Sequence, residues 1–113
     1  MIKIKESEVQ AQIVEYLMIL ENQNKLFFQR TNNVGIYDPK TQGHRRSPKG
    51  VKKGFPDVVV IIRGKFVGIE LKSSKGRQSK EQKEMEKNIK LNGGFYFLVR
   101  SIKDLEEALK KVV

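Results

Sequence analysis

The 113-residue chain has no cysteine and a single histidine, His44. The first absence excludes disulfides and thiolate metal sites, and the second argues against a His-rich zinc site. No apolar run approaches the roughly 18 residues that a membrane span requires. The opening "MIKIKESEVQ" lacks the continuous apolar stretch of a signal peptide. Repeats and low-complexity segments are missing too, so 1–113 reads as one domain with one modest core. An intracellular protein with no membrane partner is the expectation.

Acid is scarce where base is dense. Of the net charge of +10, all the excess lies between Lys40 and Lys83, which hold 13 Lys/Arg and three acids, Asp57, Glu70 and Glu81. A field of one sign over so short a stretch suits a polyanion, most often nucleic acid. The plainer alternative is a solvated surface, although such surfaces usually mix both signs.

The hydrophobic pattern gives the order α-β-β-β-α-β-α, with a loop of about 24 residues after the first strand, long for a compact domain. Val9, Ile13, Tyr16, Leu17 and Leu20 recur at helical spacing, with Ser7 and Gln10 set as a capping box. "LFFQR" reads as a short strand, and "DVVVII", "RGK" and "FVGIELK" as a buried hairpin. Ser79 and Gln82 form a second capping box, "NGG" stops that helix, and "FYFLVR" is a further strand. Ser101 and Asp104 open a last helix with an apolar stripe. A strand–helix–strand crossover joins parallel strands. The expected fold is α/β, a mixed sheet flanked by helices.

Within that hairpin Asp57, Glu70 and Lys72 break an otherwise apolar run. A turn near Gly64 places Asp57 opposite Glu70 to within one or two positions. Glu70 and Lys72 share a face, while Ile69 and Leu71 point into the core. Two adjacent carboxylates repel unless a proton or cation lies between them. With oxygen donors alone, the cation is Mg²⁺ or Mn²⁺, and the Leu71 carbonyl is a further candidate ligand. Taken singly, Asp57 also suits a turn beside Pro56, and Glu70 with Lys72 an exposed ion pair.

Pro56-Asp57 followed by Glu70-Leu71-Lys72 is similar to the PD-(D/E)xK nuclease signature. With "ESEVQAQIVEYL", "KKGFPDVVV", "GIELKSSKGRQSKEQ" and "GGFYFLVRSIKDLEEAL", nearly the whole chain resembles a virus-type replication-repair nuclease (VRR-NUC) domain. The resemblance implies a restriction-endonuclease-like core and a metal-dependent endonuclease acting on DNA. Minimal members resemble phage-encoded homodimeric resolvases of four-way (Holliday) junctions, which implies a cytoplasmic setting in a prokaryote or an infected host.

Carried over by position, Asp57 and Glu70 become metal ligands and Lys72 the catalytic lysine. Glu8 becomes the N-terminal acid supporting the metal or its water; the alternative is an ordinary first-turn acid, with Glu6 and Glu15 as rivals. Gln82 positions Lys72 or the attacking water, or only caps its helix. Arg30, Arg45, Arg46, Lys49, Lys52, Lys53, Lys75 and Arg77 are candidate phosphate contacts, each also readable as generic surface charge. His44 reads as a loop residue, with a general base the minor alternative. Phe27, Phe28, Phe95 and Phe97 read as core, with base stacking the minor alternative. The final helix and the apolar strand faces are candidate dimer surfaces. Two readings compete: a non-catalytic nucleic-acid-binding module on the same fold, and a restriction-type nuclease reading duplex sequence.

Overall fold

A computed structural model describes residues 5–32 and 48–113. The expected His44, Arg45 and Arg46 lie outside the described residues. The element order matches the sequence pattern: α1 (Glu6–Asn22), β1 (Phe27–Arg30), β2 (Val58–Ile62), β3 (Lys65–Leu71), α2 (Lys80–Leu91), β4 (Phe95–Val99) and α3 (Ile102–Val112). The four strands form one mixed sheet in the order β1-β2-β3-β4. β1 and β3 run antiparallel to β2, and β4 runs parallel to β3 across the α2 connection. No helix among the described residues is long and apolar enough to cross a membrane.

Side-chain alternation divides the sheet into two faces. On one, Val58, Val60, Ile62, Val67, Ile69, Leu71 and Val99 pack with Val9, Ile13 and Leu17 of α1 and Leu105, Leu109 and Val112 of α3. Each such burial stabilises by roughly 1.5–3 kcal/mol relative to exposure. α2 lies against the other face, where Ile89 approaches Gly68 of β3. The hairpin is therefore not buried on both sides as its apolar run suggested. Ile61, on the α2 side of β2, is 42% exposed beside its cross-strand neighbour Phe27, also exposed. α2 is a single helix and does not reach across to β1.

Local sequence explains the ends. Arg63 and Gly64 both take positive φ, 50° and 80°, making the two-residue turn that suits a twisted hairpin. The Ser79–Gln82 capping box is present, and Ser101 caps α3 by accepting from the Asp104 amide. The Ser7 box is not. The N-cap lies two residues earlier, at Lys5, in extended backbone and with no side-chain cap. There the Lys5 carbonyl accepts from the Glu8 and Val9 amides, and first-turn Glu6 and Glu8 suit the helix dipole.

Gly54 joins the segment before β2 to α2. Its φ is +79°, and a Cβ there would lie 2.5 Å from the Glu81 carbonyl carbon. Both conformation and contact demand glycine. Gly54→Ala is expected to lower stability by about 1–3 kcal/mol, seen as a lower urea midpoint at unchanged m-value. Gly64→Ala, with positive φ but nothing within 4 Å, should cost less.

Candidate active site

The Arg63–Gly64 turn fixes the hairpin register. Val58 pairs with Ile69, so the next step along the ladder sets Asp57 directly opposite Glu70. One step further, Leu71 faces Pro56, which has no N–H to donate. The Leu71 amide is bonded by the Asp57 side chain, whose Oδ2 accepts from it at 2.8 Å. Its Oδ1 accepts from Asn32 Nδ2 at 3.3 Å, and its backbone carbonyl accepts from the Thr31 and Asn32 amides. The Thr31 hydroxyl donates to the Pro56 carbonyl. The strand end is thus held from three sides. In an extended strand one residue's N–H and C=O point to the same side, so the Leu71 carbonyl also faces Pro56, where the ladder offers it no donor.

Glu70 is the one buried charged side chain among the described residues, at 1% exposure. The alternative of an exposed Glu70–Lys72 ion pair does not hold, because Glu70 is buried under α2. Gln82 Nε2 donates to Glu70 Oε2 at 2.9 Å, and the Tyr96 hydroxyl donates to Oε1 at 3.2 Å. Tyr96 reaches it because it pairs with Gly68, on the same sheet face as Glu70. Burial foremost, then the neighbouring Asp57 carboxylate, pushes the Glu70 carboxyl up to about 8, while the Lys72 ammonium and the Tyr96 hydrogen bond oppose the shift. Burial also raises the Tyr96 phenol, keeping its proton available for donation.

Gln82 joins two structures. Its Oε1 accepts from the Ser79 amide as half of the capping box, while its Nε2 holds Glu70. Capping and site positioning, alternatives in the sequence, are one arrangement here. Its bond runs to Glu70 and not to Lys72.

Behind Tyr96 the chain continues outward: Gln78 Nε2 donates to the Tyr96 oxygen at 3.2 Å and to Glu86 Oε1 at 3.0 Å. Glu86 pairs with Lys90 at 2.6 Å. Burial works against the Glu86 charge, but the hydrogen bonds from Lys90 and Gln78 hold its carboxyl below the usual range. Tyr96 and Gln78 carried no sequence signal beyond strand and loop; only the parallel register of β4 could have revealed Tyr96.

Lys72 follows β3, its amide bonded to the Val99 carbonyl at 3.1 Å. Its stem passes over Gly76, where a Cβ would sit 3.2 Å from Lys72 Cδ. Arg100 fixes that turn by donating to the Ser73 and Gly76 carbonyls, the latter at 2.8 Å. Glu8 is exposed in the first turn of α1. Arg30, Lys49, Lys52, Lys53, Lys75 and Arg77 are exposed, Arg30 donating to Asn32 at 2.9 Å.

Among the described residues no group of three or more His, Cys, Asp and Glu side chains is arranged to hold a metal ion. Glu8 therefore does not join Asp57 and Glu70 as a third carboxylate in this arrangement. The remaining donors are two carboxylates and the Leu71 carbonyl. They still fit a hard cation of the Mg²⁺ type, which commonly takes one or two carboxylates and completes its shell with water and substrate phosphate.

No protein-family model matches the chain, and neither a curated protein nor a solved structure does so.

The raised Glu70 carboxyl sets a pH dependence for the metal-free protein. Because its folded value lies above 4.5, its contribution to stability is complete below 4.5 and is lost as pH rises through about 8. Between those values the slope approaches about 1.4 kcal/mol per pH unit. Urea titrations at several pH values in EDTA should show wild-type stability falling over this window and Glu70→Gln nearly flat. Tyr96→Phe, which removes a donor to the charged form, should carry the fall on to higher pH and lower stability above about pH 8 by roughly 1 kcal/mol.

Proposed function

We propose that the protein is a Mg²⁺- or Mn²⁺-dependent endodeoxyribonuclease of the PD-(D/E)xK, VRR-NUC type, with a restriction-endonuclease-like core. The observation that carries the reading is a buried Glu70 set opposite Asp57 by the hairpin register, at a sheet end followed by Lys72. Burying a carboxylate next to another opposes stability unless a proton or a cation lies between them, and in this reading the place is a cation's. The basic central segment supplies the complementary field for DNA.

In this reading Asp57, Glu70 and the Leu71 carbonyl hold the cation. When bound, the cation lowers the pKa of a water and offsets negative charge on the scissile phosphate. Asp57 stays in place through the Leu71 amide and Asn32. Glu70 stays in place through Gln82 and Tyr96. Lys72 directs its ammonium to the phosphate, stabilising charge that develops in the transition state. Arg30, Lys49, Lys52, Lys53, Lys75 and Arg77 contact flanking phosphates. Branched DNA, with a four-way junction foremost, is the proposed substrate. A homodimer is the proposed active form, since two-fold symmetry brings two sites to two opposed strands.

The test is cleavage of a labelled four-way junction, flap, duplex and single strand with EDTA, Mg²⁺ or Mn²⁺. Wild type should cut only with metal, and the junction best. Asp57→Ala and Lys72→Ala should each lose roughly 10²–10⁴-fold in rate while still binding DNA. Metal-dependent cutting that survives both substitutions would sink the site. Tight, salt-sensitive binding without cutting under either metal would favour the non-catalytic module.

A further inference from the structure

Residues 48–56 lead directly into Asp57 and carry Lys49, Lys52 and Lys53 with no acid. Two large apolar side chains of this segment remain outside the core: Phe55 is 45% exposed and Val51 60%. Each alone would be ordinary, since folded surfaces keep many apolar atoms. Here they flank a groove of about 530 Å³, lined by Thr31, Gly50, Val51, Lys52, Phe55 and Met85. The buried Met85 comes from α2, the helix that also carries Gln82.

The groove is tied to the active site through its walls. Thr31 donates its amide to the Asp57 carbonyl and its hydroxyl to the Pro56 carbonyl. Phe55 lies two residues before Asp57, at most about 7 Å of chain. A second groove shares Lys52 and Met85 and adds Lys53 and Lys80, but also Glu81 and Glu84, so it is less suited to an anion.

An aromatic side chain beside an aliphatic wall, with Lys52 in the lining and Lys49 and Lys53 on the same short segment, matches the chemistry of a nucleotide: a flat base on an anionic backbone. The volume lies within the range of small-ligand sites. In intact duplex both faces of a base are covered by its neighbours, so the groove suits a base already out of the stack. An apolar peptide would leave the lysines unused, and a simple polyanion would leave Phe55 and Val51 unused. We infer that this groove binds an unstacked DNA base by stacking it on Phe55, next to the strand presented to Asp57 and Glu70, and so favours DNA containing unpaired bases. The inference rests on the nuclease reading for its purpose, but its test does not require cleavage.

The probe is a short single strand carrying 2-aminopurine, compared with a blunt duplex of the same sequence, both in EDTA. Wild type should quench the 2-aminopurine on binding. In Phe55→Leu the quench should disappear and the single-strand to duplex affinity ratio should fall roughly five- to hundredfold. Phe55→Trp should restore both. Val51→Ser, in the same lining, should lower the ratio to a smaller degree, and circular dichroism with thermal melting checks that each variant folds. Equal ratios in wild type and Phe55→Leu overturn the inference, as does displacement of the strand by polyglutamate at matching charge, which would mean plain anion binding. Phe55-dependent quenching by a protein that cuts no DNA with Mg²⁺ or Mn²⁺ overturns the nuclease reading and leaves the groove assigned. Metal-dependent cutting with no effect of Phe55→Leu on any substrate does the reverse.

Discussion

The opposition of Asp57 and Glu70 across the hairpin is the constraint on which the rest of the site depends. It is set by two residues with no chemistry of their own, Arg63 and Gly64, whose positive φ angles close the turn. Because side chains alternate along a strand, a register slip of one residue would turn Glu70 into the apolar core and bring Ile69 or Leu71 to α2. The valine, isoleucine and leucine on the core face guard against that slip, since it would expose them together. The hydrophobic face of the sheet thus fixes the polar end of it. Beyond Asp57 the backbone ladder stops: Pro56 offers the Leu71 carbonyl no N–H, the Pro56 carbonyl accepts from the Thr31 hydroxyl, and the Leu71 amide bonds the Asp57 carboxylate.

α2 is the second element the site depends on, and its cap is part of the site. Gln82 uses its oxygen on the Ser79 amide and its nitrogen on Glu70. Fraying of that first helical turn would release a Glu70 hydrogen bond, so the order of the helix end and the orientation of the carboxylate are coupled. Gly54 brings the basic segment close enough to touch the same turn. One helix terminus therefore meets the buried carboxylate, the chain entering β2, and the Lys52–Met85 grooves. Arg100 plays a similar part for Lys72, from the far end of β4, by gathering the Ser73 and Gly76 carbonyls.

The sequence made the element order, the mixed sheet and the facing of Asp57 and Glu70 legible, because each follows from short-range pattern. Period-two apolar runs give strands, and turn residues at 63 and 64 give the register. What stayed hidden depends on how elements meet. Tyr96 sits in an apolar strand, and nothing in "FYFLVR" distinguishes its hydroxyl from the rings of Phe95 and Phe97 until β4 is aligned with β3. Glu70 read as exposed because its burial comes from α2 and not from its own strand. Ser7 and Gln10 have capping-box spacing, yet the helix begins before them, since spacing alone does not fix where a helix starts. Phe55, between Gly54 and Pro56, has no periodic neighbours to mark it as outside the core.

The burial of Glu70 makes proton and cation alternatives for the same place. Lifting its carboxyl from 4.5 to about 8 corresponds to on the order of 5 kcal/mol between charged and neutral forms. That is comparable with the whole stability of many domains of this size. Without a cation, the folded protein accommodates the pair near neutral pH by keeping a proton on it. In the nuclease reading, Asp57 and Glu70 would hold a divalent ion in that place, and Glu70 would give up its proton to do so. Tyr96 and Gln82 each leave a further lone pair on the oxygen they bond. They limit the rotation of Glu70 without using up its capacity as a ligand. A carboxylate held in this way loses little freedom when it meets a cation, whereas an exposed one must be ordered in the same step.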